Sequence, residues 1–127
     1  MEDIKSLEYK NASKYRNFCF TWMENKNEEL PSESDLLEFL HENFDDYAFQ
    51  LERGESTDKL HYQGVLRTNY RVRRQTVLKK FQEKFPETQV QFLTIINMLG
   101  KWEESLAYCS KDETAVGDLF VSPSISS

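Results

Sequence analysis

The chain has 127 residues, of which 39% are apolar and 13% aromatic, and its net charge is −6. That length supports one core of ordinary size, and that composition excludes a disordered chain. The two cysteines, Cys19 and Cys109, have no second Cys or His at ligand spacing, which excludes a disulfide framework and a structural zinc site.

Residues 1–15 are polar without a clear period and read as a flexible tail. "NFCFTWM" (17–23) is aromatic and β-favouring, a buried strand. After the loop "NKNEELPSES", Ser32-Glu33-Ser34-Asp35 opens a helix whose apolar stripe is Leu36, Leu37, Leu40 and Phe44. "DYAFQLE" (46–52), "RGESTDK" and "LHYQGVLRT" (60–68) form a strand, a turn and a return strand. Residues 74–85 form a second helix, with Val77, Leu78, Phe81 and Phe85 on one side, stopped by Pro86. "TQVQFLTII" (88–96) is a further strand, and Gly100 opens a third helix through about Ser110. The remainder of the chain reads as loop and tail.

The order β-α-β-β-α-β-α predicts an α+β fold of the ferredoxin-like kind, a central antiparallel sheet of about five strands with helices packed on it. The expected domain spans 16–117, with 118–127 as a C-terminal tail or the start of a linker. With no apolar leader or transmembrane run, an intracellular location is expected, and the triplet Asn11-Ala12-Ser13 is discounted as a glycosylation site.

The negative total conceals a basic block. Residues 24–58 sum to −10, whereas 59–84 sum to +7, through Lys59, Arg67, Arg71, Arg73, Arg74, Lys79, Lys80 and Lys84 against Glu83 alone. A polyanion responds to such a local field more than to the total. A solvated helix face would show the same charges.

Three groups of residues carry chemistry. His61 and Gln63 are two apart on one strand, so their side chains share a sheet face, and the turn brings Glu52 back beside them. A carboxylate, an imidazole and an amide oxygen suit Mg²⁺ or Mn²⁺ better than zinc. In the third helix Trp102, Leu106 and Cys109 form the buried stripe, and Tyr108 lies roughly 130° from its centre. Lys111, three residues on, stands beside that tyrosine. A phenol with an ordinary pKa near 10 needs such a cation or a base to become a nucleophile. The third group is the strand "FCFTW" itself, in which Phe18 and Phe20 read as core.

Together, "FCFTW", "LHYQG" and "YCSK", in that order and spacing, resemble motifs I, II and III of the HUH endonuclease domain. The resemblance runs over about residues 17–115 and is to the replication initiator proteins of circular single-stranded DNA viruses of the circovirus and nanovirus type. In that family the second histidine of motif II is often glutamine, as at Gln63. The Y-x-x-K motif corresponds to Tyr108 and Lys111, and a metal-binding glutamate falls at Glu52. After the first motif this chain has Met23 and Glu24 where the family usually has asparagine.

The resemblance implies nicking and rejoining of single-stranded DNA at a replication origin, a stem-loop being one form it takes. Tyr108 would form a 5′-phosphotyrosine link and initiate rolling-circle replication, with Lys111 assisting and Glu52, His61 and Gln63 holding Mg²⁺ or Mn²⁺. DNA contacts are expected from Thr21, Arg67, Asn69, Tyr70, Arg71, Arg73, Arg74, Lys79 and Lys80. It implies, for a full-length protein, a helicase domain or an oligomer, and for a eukaryotic virus the host nucleus. The alternative from another class is a non-catalytic RNA-recognition-like module, which stacks bases on outward strand aromatics and has no use for Glu52, His61, Gln63 and Tyr108 together. A metal-dependent hydrolase of small phosphoesters would need more Asp and His ligands than this chain supplies.

Overall fold

Burial alternates along the first strand, β1 (Lys14–Met23), and that alternation sets the layers of the molecule. Phe18, Phe20 and Trp22 are buried on one face, while Cys19, Thr21 and Met23 point to the other and are only partly covered. The computed structural model describes residues 13–26, 28–110 and 113–123. Within them β1 is joined by β2 (Asp46–Arg53), β3 (Leu60–Arg73), β4 (Leu93–Asn97) and β5 (Ala115–Val121). The sheet order is β4-β1-β3-β2-β5, with every neighbouring pair antiparallel. The inner order β4-β1-β3-β2 is ferredoxin-like, and β5 adds an edge strand to it.

One face carries the main core. Helices α1 (Glu33–Asn43), α2 (Arg74–Lys84) and the single turn α3 (Glu87–Val90) cover it with Leu36, Phe39, Leu40, Val77, Phe81 and Val90. Phe81 sits at the centre of a ring cluster, its centroid 4.6 Å from Phe39, 5.6 Å from Trp22 and 5.9 Å from Phe20. Ser32 caps α1, its Oγ accepting from the Asp35 N–H at 3.1 Å, as the capping pattern predicts. The other face carries a much smaller cluster. There α4 (Trp102–Cys109) lays Trp102, Leu106 and Cys109 over Ala48, Val65 and Cys19.

Three expectations need correction. The segment 88–96 is not one strand. Pro86 opens the α3 turn, Trp22 Nε1 and Asn25 Nδ2 donate to the carbonyls of Gln89 and Thr88, and the strand begins only at Leu93. The region after Ser110 is not all loop and tail. Residues 115–121 form β5 against β2, and the Ser122 hydroxyl accepts from the Tyr47 N–H at 3.1 Å, which extends the folded unit beyond residue 117. At the other end, Lys14 and Tyr15 belong to β1, paired with Arg73 and Val72, rather than to a tail. Among the described residues no helix is long and apolar enough to cross a membrane.

Gly64 fixes how β1 and β3 meet. A Cβ at this position would collide with the ring of Phe20, its partner in register, and come 2.8 Å from the Ala48 carbonyl oxygen. Neither obstacle can move, because Phe20 is locked in the ring cluster and Ala48 lies in the β2 ladder. Gly64→Ala should therefore cost about 1–3 kcal/mol, the usual range for overpacking a core. Urea denaturation checks this, and an unchanged midpoint would show that the close approach does not matter.

Candidate active site

The face opposite the ring cluster is where the predicted residues meet. In the β2–β3 hairpin Glu52 stands directly across from His61 and Gln50 across from Gln63, while β1 places Thr21 on the other flank of Gln63. His61 Nε2 lies 3.9 Å from Glu52 Oε1. Thr21 Oγ1 donates to Gln63 Oε1 at 3.1 Å, so this hydroxyl orients the amide. From above, the end of α4 brings Tyr108 to the same place. Glu52, His61, Gln63 and Tyr108 line one cleft of about 340 Å³, closed on its sides by Gly54, Glu55 and Thr114.

Local chemistry explains why the chain delivers these side chains here. The hairpin turn 54–59 closes through Gly54 N–H to Lys59 O (2.9 Å) and Asp58 N–H to Gly54 O (3.0 Å), with Asp58 in the left-handed region at φ 57°. The Arg53 guanidinium donates to Asp58 O at 3.1 Å and steadies the turn. Glu24, where the sequence departs from the first family motif, has a structural task. Its Oε1 accepts from the Leu60 N–H at 3.0 Å and holds the start of β3 immediately before His61. On α4 the expected stripe holds. Cys109 is buried against the sheet and Tyr108 is 58% exposed toward the cleft. Burial pushes the Cys109 thiol up to about 11, which removes it as a rival nucleophile at neutral pH.

The donor set fits a hard divalent cation. Glu52 is buried, and its Oε1 accepts from Thr114 Oγ1 at 2.6 Å. Among the described residues, four buried side-chain polar atoms lack a hydrogen-bond partner, and two of those are Glu52 Oε2 and His61 Nδ1. Orphaned atoms of this kind cost free energy unless something satisfies them, and a cation bound in the cleft would do so. No three His, Cys, Asp or Glu side chains cluster among the described residues, and the Gln63 amide oxygen is a further oxygen donor in the same cleft.

The remaining predicted residues separate. Lys111 lies outside the described residues. Arg67 is committed to the fold, with Nε donating to Asn17 Oδ1 (2.9 Å), Nη1 to Asp46 Oδ2 (3.2 Å), and its guanidinium stacked 4.3 Å from the Trp102 ring. Its guanidinium therefore has a task in the fold, whatever else it touches. Asn69, Tyr70 and Arg71 lie in a bulge, where the β1–β3 register jumps from Asn17↔Arg67 to Tyr15↔Val72. Thr68 pins that bulge through its hydroxyl to Tyr70 O at 2.6 Å and its carbonyl to Arg16 Nε at 3.1 Å. Tyr70 is 73% exposed, and Arg71 lines a second cleft with Lys14, Tyr15, Arg16 and Asn17. Arg73 is exposed at the end of β3, and Arg74 donates to the Ile95 carbonyl at 3.3 Å. Lys79 and Lys80 ride on α2, on the opposite face of the sheet, so the basic block is not one surface.

Sequence reasoning missed Thr114 and Arg53 at this site. Thr114 carried no local signal. The chain matches no protein-family model and no curated protein.

Because α4 has only eight residues and rests on a small cluster, it should open locally at lower free energy than the central strands. Hydrogen–deuterium exchange should find the amides of α4 less protected than those of β1 and β3. Equal protection in both would show that Tyr108 sits on a rigid element.

Proposed function

We propose that the chain is a metal-dependent endonuclease and strand transferase acting on single-stranded DNA through Tyr108, of the HUH type. The observation that carries this reading is the convergence of Glu52, His61, Gln63 and Tyr108 on one cleft, from a hairpin and a helix far apart in sequence. In this reading the Tyr108 phenolate oxygen attacks the scissile phosphorus, the phenol proton having been given up. The P–O3′ bond breaks, the departing 3′-oxygen takes up a proton, and the DNA is left with a free 3′-hydroxyl and a 5′-phosphotyrosine link. Attack by a 3′-hydroxyl on that link rejoins a strand and restores the tyrosine.

Glu52 Oε2, His61 and the Gln63 amide oxygen would hold Mg²⁺ or Mn²⁺, which when bound stabilises the charge developing on the phosphate oxygens. Thr21 holds the amide in place. Arg53, half-exposed at the cleft wall, supplies a positive charge near an incoming phosphate. The bulge residues Asn69, Tyr70 and Arg71 present an aromatic face and a cation for stacking and for backbone contact. In this proposal the partner is single-stranded DNA at an origin.

A non-catalytic base-stacking module would present aromatics from the middle of its strands to solvent, whereas the exposed strand aromatics here, Tyr15 and Tyr70, flank the bulge. Phe18, Phe20, Trp22, Phe49 and Tyr62 are all buried here, and the open part of the other face is lined by acid, imidazole and amide.

The test is an SDS-stable covalent complex with a single-stranded oligonucleotide in the presence of Mn²⁺. Tyr108→Phe should abolish the complex and leave DNA binding in place, and excess EDTA should abolish it in the unmodified chain. A complex that survives the tyrosine change would overturn the assignment of the nucleophile. A second pair of variants separates scaffold from contact. Arg67→Ala should lower the unfolding temperature, whereas Arg71→Ala should weaken oligonucleotide binding and leave that temperature unchanged. The reverse pattern would reassign both.

A further inference from the structure

The connection from α4 to β5 does more than return the chain to the sheet. Opposite Glu52 in the β2–β5 ladder stands Ala115, and the Arg53 N–H donates to the Thr114 carbonyl at 3.0 Å. These backbone contacts fix Thr114 beside the Glu52 carboxylate, where its hydroxyl donates to Oε1 at 2.6 Å. That length is typical of a hydroxyl bonded to an ionised carboxylate, one of the stronger hydrogen bonds in proteins. It uses one carboxylate oxygen and leaves Oε2 buried with no partner. Thr21 acts in a similar way from the opposite side, on the oxygen of Gln63.

We infer that Thr114 is a positioning residue for the cation site, orienting Glu52 so that Oε2 and not Oε1 is the metal donor. The inference rests on the metal-dependent reading of the cleft and adds a residue to it. A threonine is suited to this task for an electrostatic reason. A lysine or arginine at the same distance would neutralise the carboxylate and compete with a cation for it. A neutral hydroxyl restrains the rotation of the carboxylate and leaves its charge available.

Isothermal titration of Mn²⁺ into the purified chain tests this without DNA or turnover. Glu52→Gln should remove the site. Thr114→Val, which keeps the shape and deletes the donor, should weaken Mn²⁺ binding about tenfold or more, in the range seen when an outer partner of a metal ligand is lost. Thr114→Ser should bind nearly as well as the unmodified chain, because the hydroxyl is restored. Thermal unfolding confirms that each variant is folded, with Thr114→Ala replacing Thr114→Val if the latter is not. Three results would overturn the inference. If Thr114→Val binds Mn²⁺ normally while Glu52→Gln does not, Thr114 has no positioning role and the metal reading stands. If Thr114→Ser is as weak as Thr114→Val, the residue acts through packing alone. If Glu52→Gln binds as the unmodified chain does, the metal reading fails and the role of Thr114 with it.

Discussion

The close approach of Phe20 to Gly64 is the constraint on which the rest of the site depends. Side chains alternate along a strand, so a one-residue slip between β1 and β3 would turn His61 and Gln63 into the aromatic core and Tyr62 out to solvent. The Phe20 ring can lie over β3 only where there is no Cβ, and Gly64 is the one glycine in that strand. With that pair matched, Thr21 falls opposite Gln63 and Met23 opposite His61. The hairpin turn then places Glu52 opposite His61 on the far flank. The glycine of "HYQG" is therefore a packing residue, and the polar geometry one residue away depends on it.

How much of this was legible depends on the range of the interaction. The shared face of His61 and Gln63 comes from a two-residue period within one strand, and the position of Tyr108 comes from a helical period, so both could be read locally. Strand β5 could not. Its burial is shallow and irregular, and Gly117 and Asp118 interrupt any alternation, because an edge strand is stabilised mainly by the backbone it pairs with. Thr114 was missed for the same reason, since its task exists only once β5 lies against β2. The structural task of Arg67 was not legible either, because counting cations cannot distinguish a solvated arginine from one held by Asn17, Asp46 and Trp102.

The same fact changes the electrostatic picture. The +7 of residues 59–84 is a property of the sequence, and the fold spreads it over several places, with Lys59 in the hairpin turn. Arg67 is internally compensated. Arg71 lies beside Lys14 and Arg16 in the second cleft, and Lys79 and Lys80 face away across the sheet. What remains on the cleft side is a modest positive region at the bulge, separated from Gln63 by several residues of β3. At about 3.3 Å per residue, Gln63 and Tyr70 are roughly 20 Å apart along the strand, which is a few nucleotides of an extended strand rather than one. A ligand touching both would have to be a chain. This favours a polynucleotide over a small phosphoester.

The unequal thickness of the two layers gives the arrangement its mechanical logic. A buried carboxylate and an imidazole with an unpaired nitrogen are destabilising on their own. They are tolerated because the opposite face holds most of the large buried side chains and keeps the strands fixed without help from the site. Tyr108, by contrast, is attached to the thin side, on a short helix held by Trp102, Leu106 and Cys109 over a few small residues. Glu52, His61 and Gln63 thus stand on the side of the molecule with the larger core, and Tyr108 on the side with the smaller one. The proposed chemistry, which would attack a phosphate and later release the product strand, would be served by this division. In that reading, donors on the central strands would preserve the geometry at the phosphorus, while a nucleophile on a short helix could move away once the link had formed.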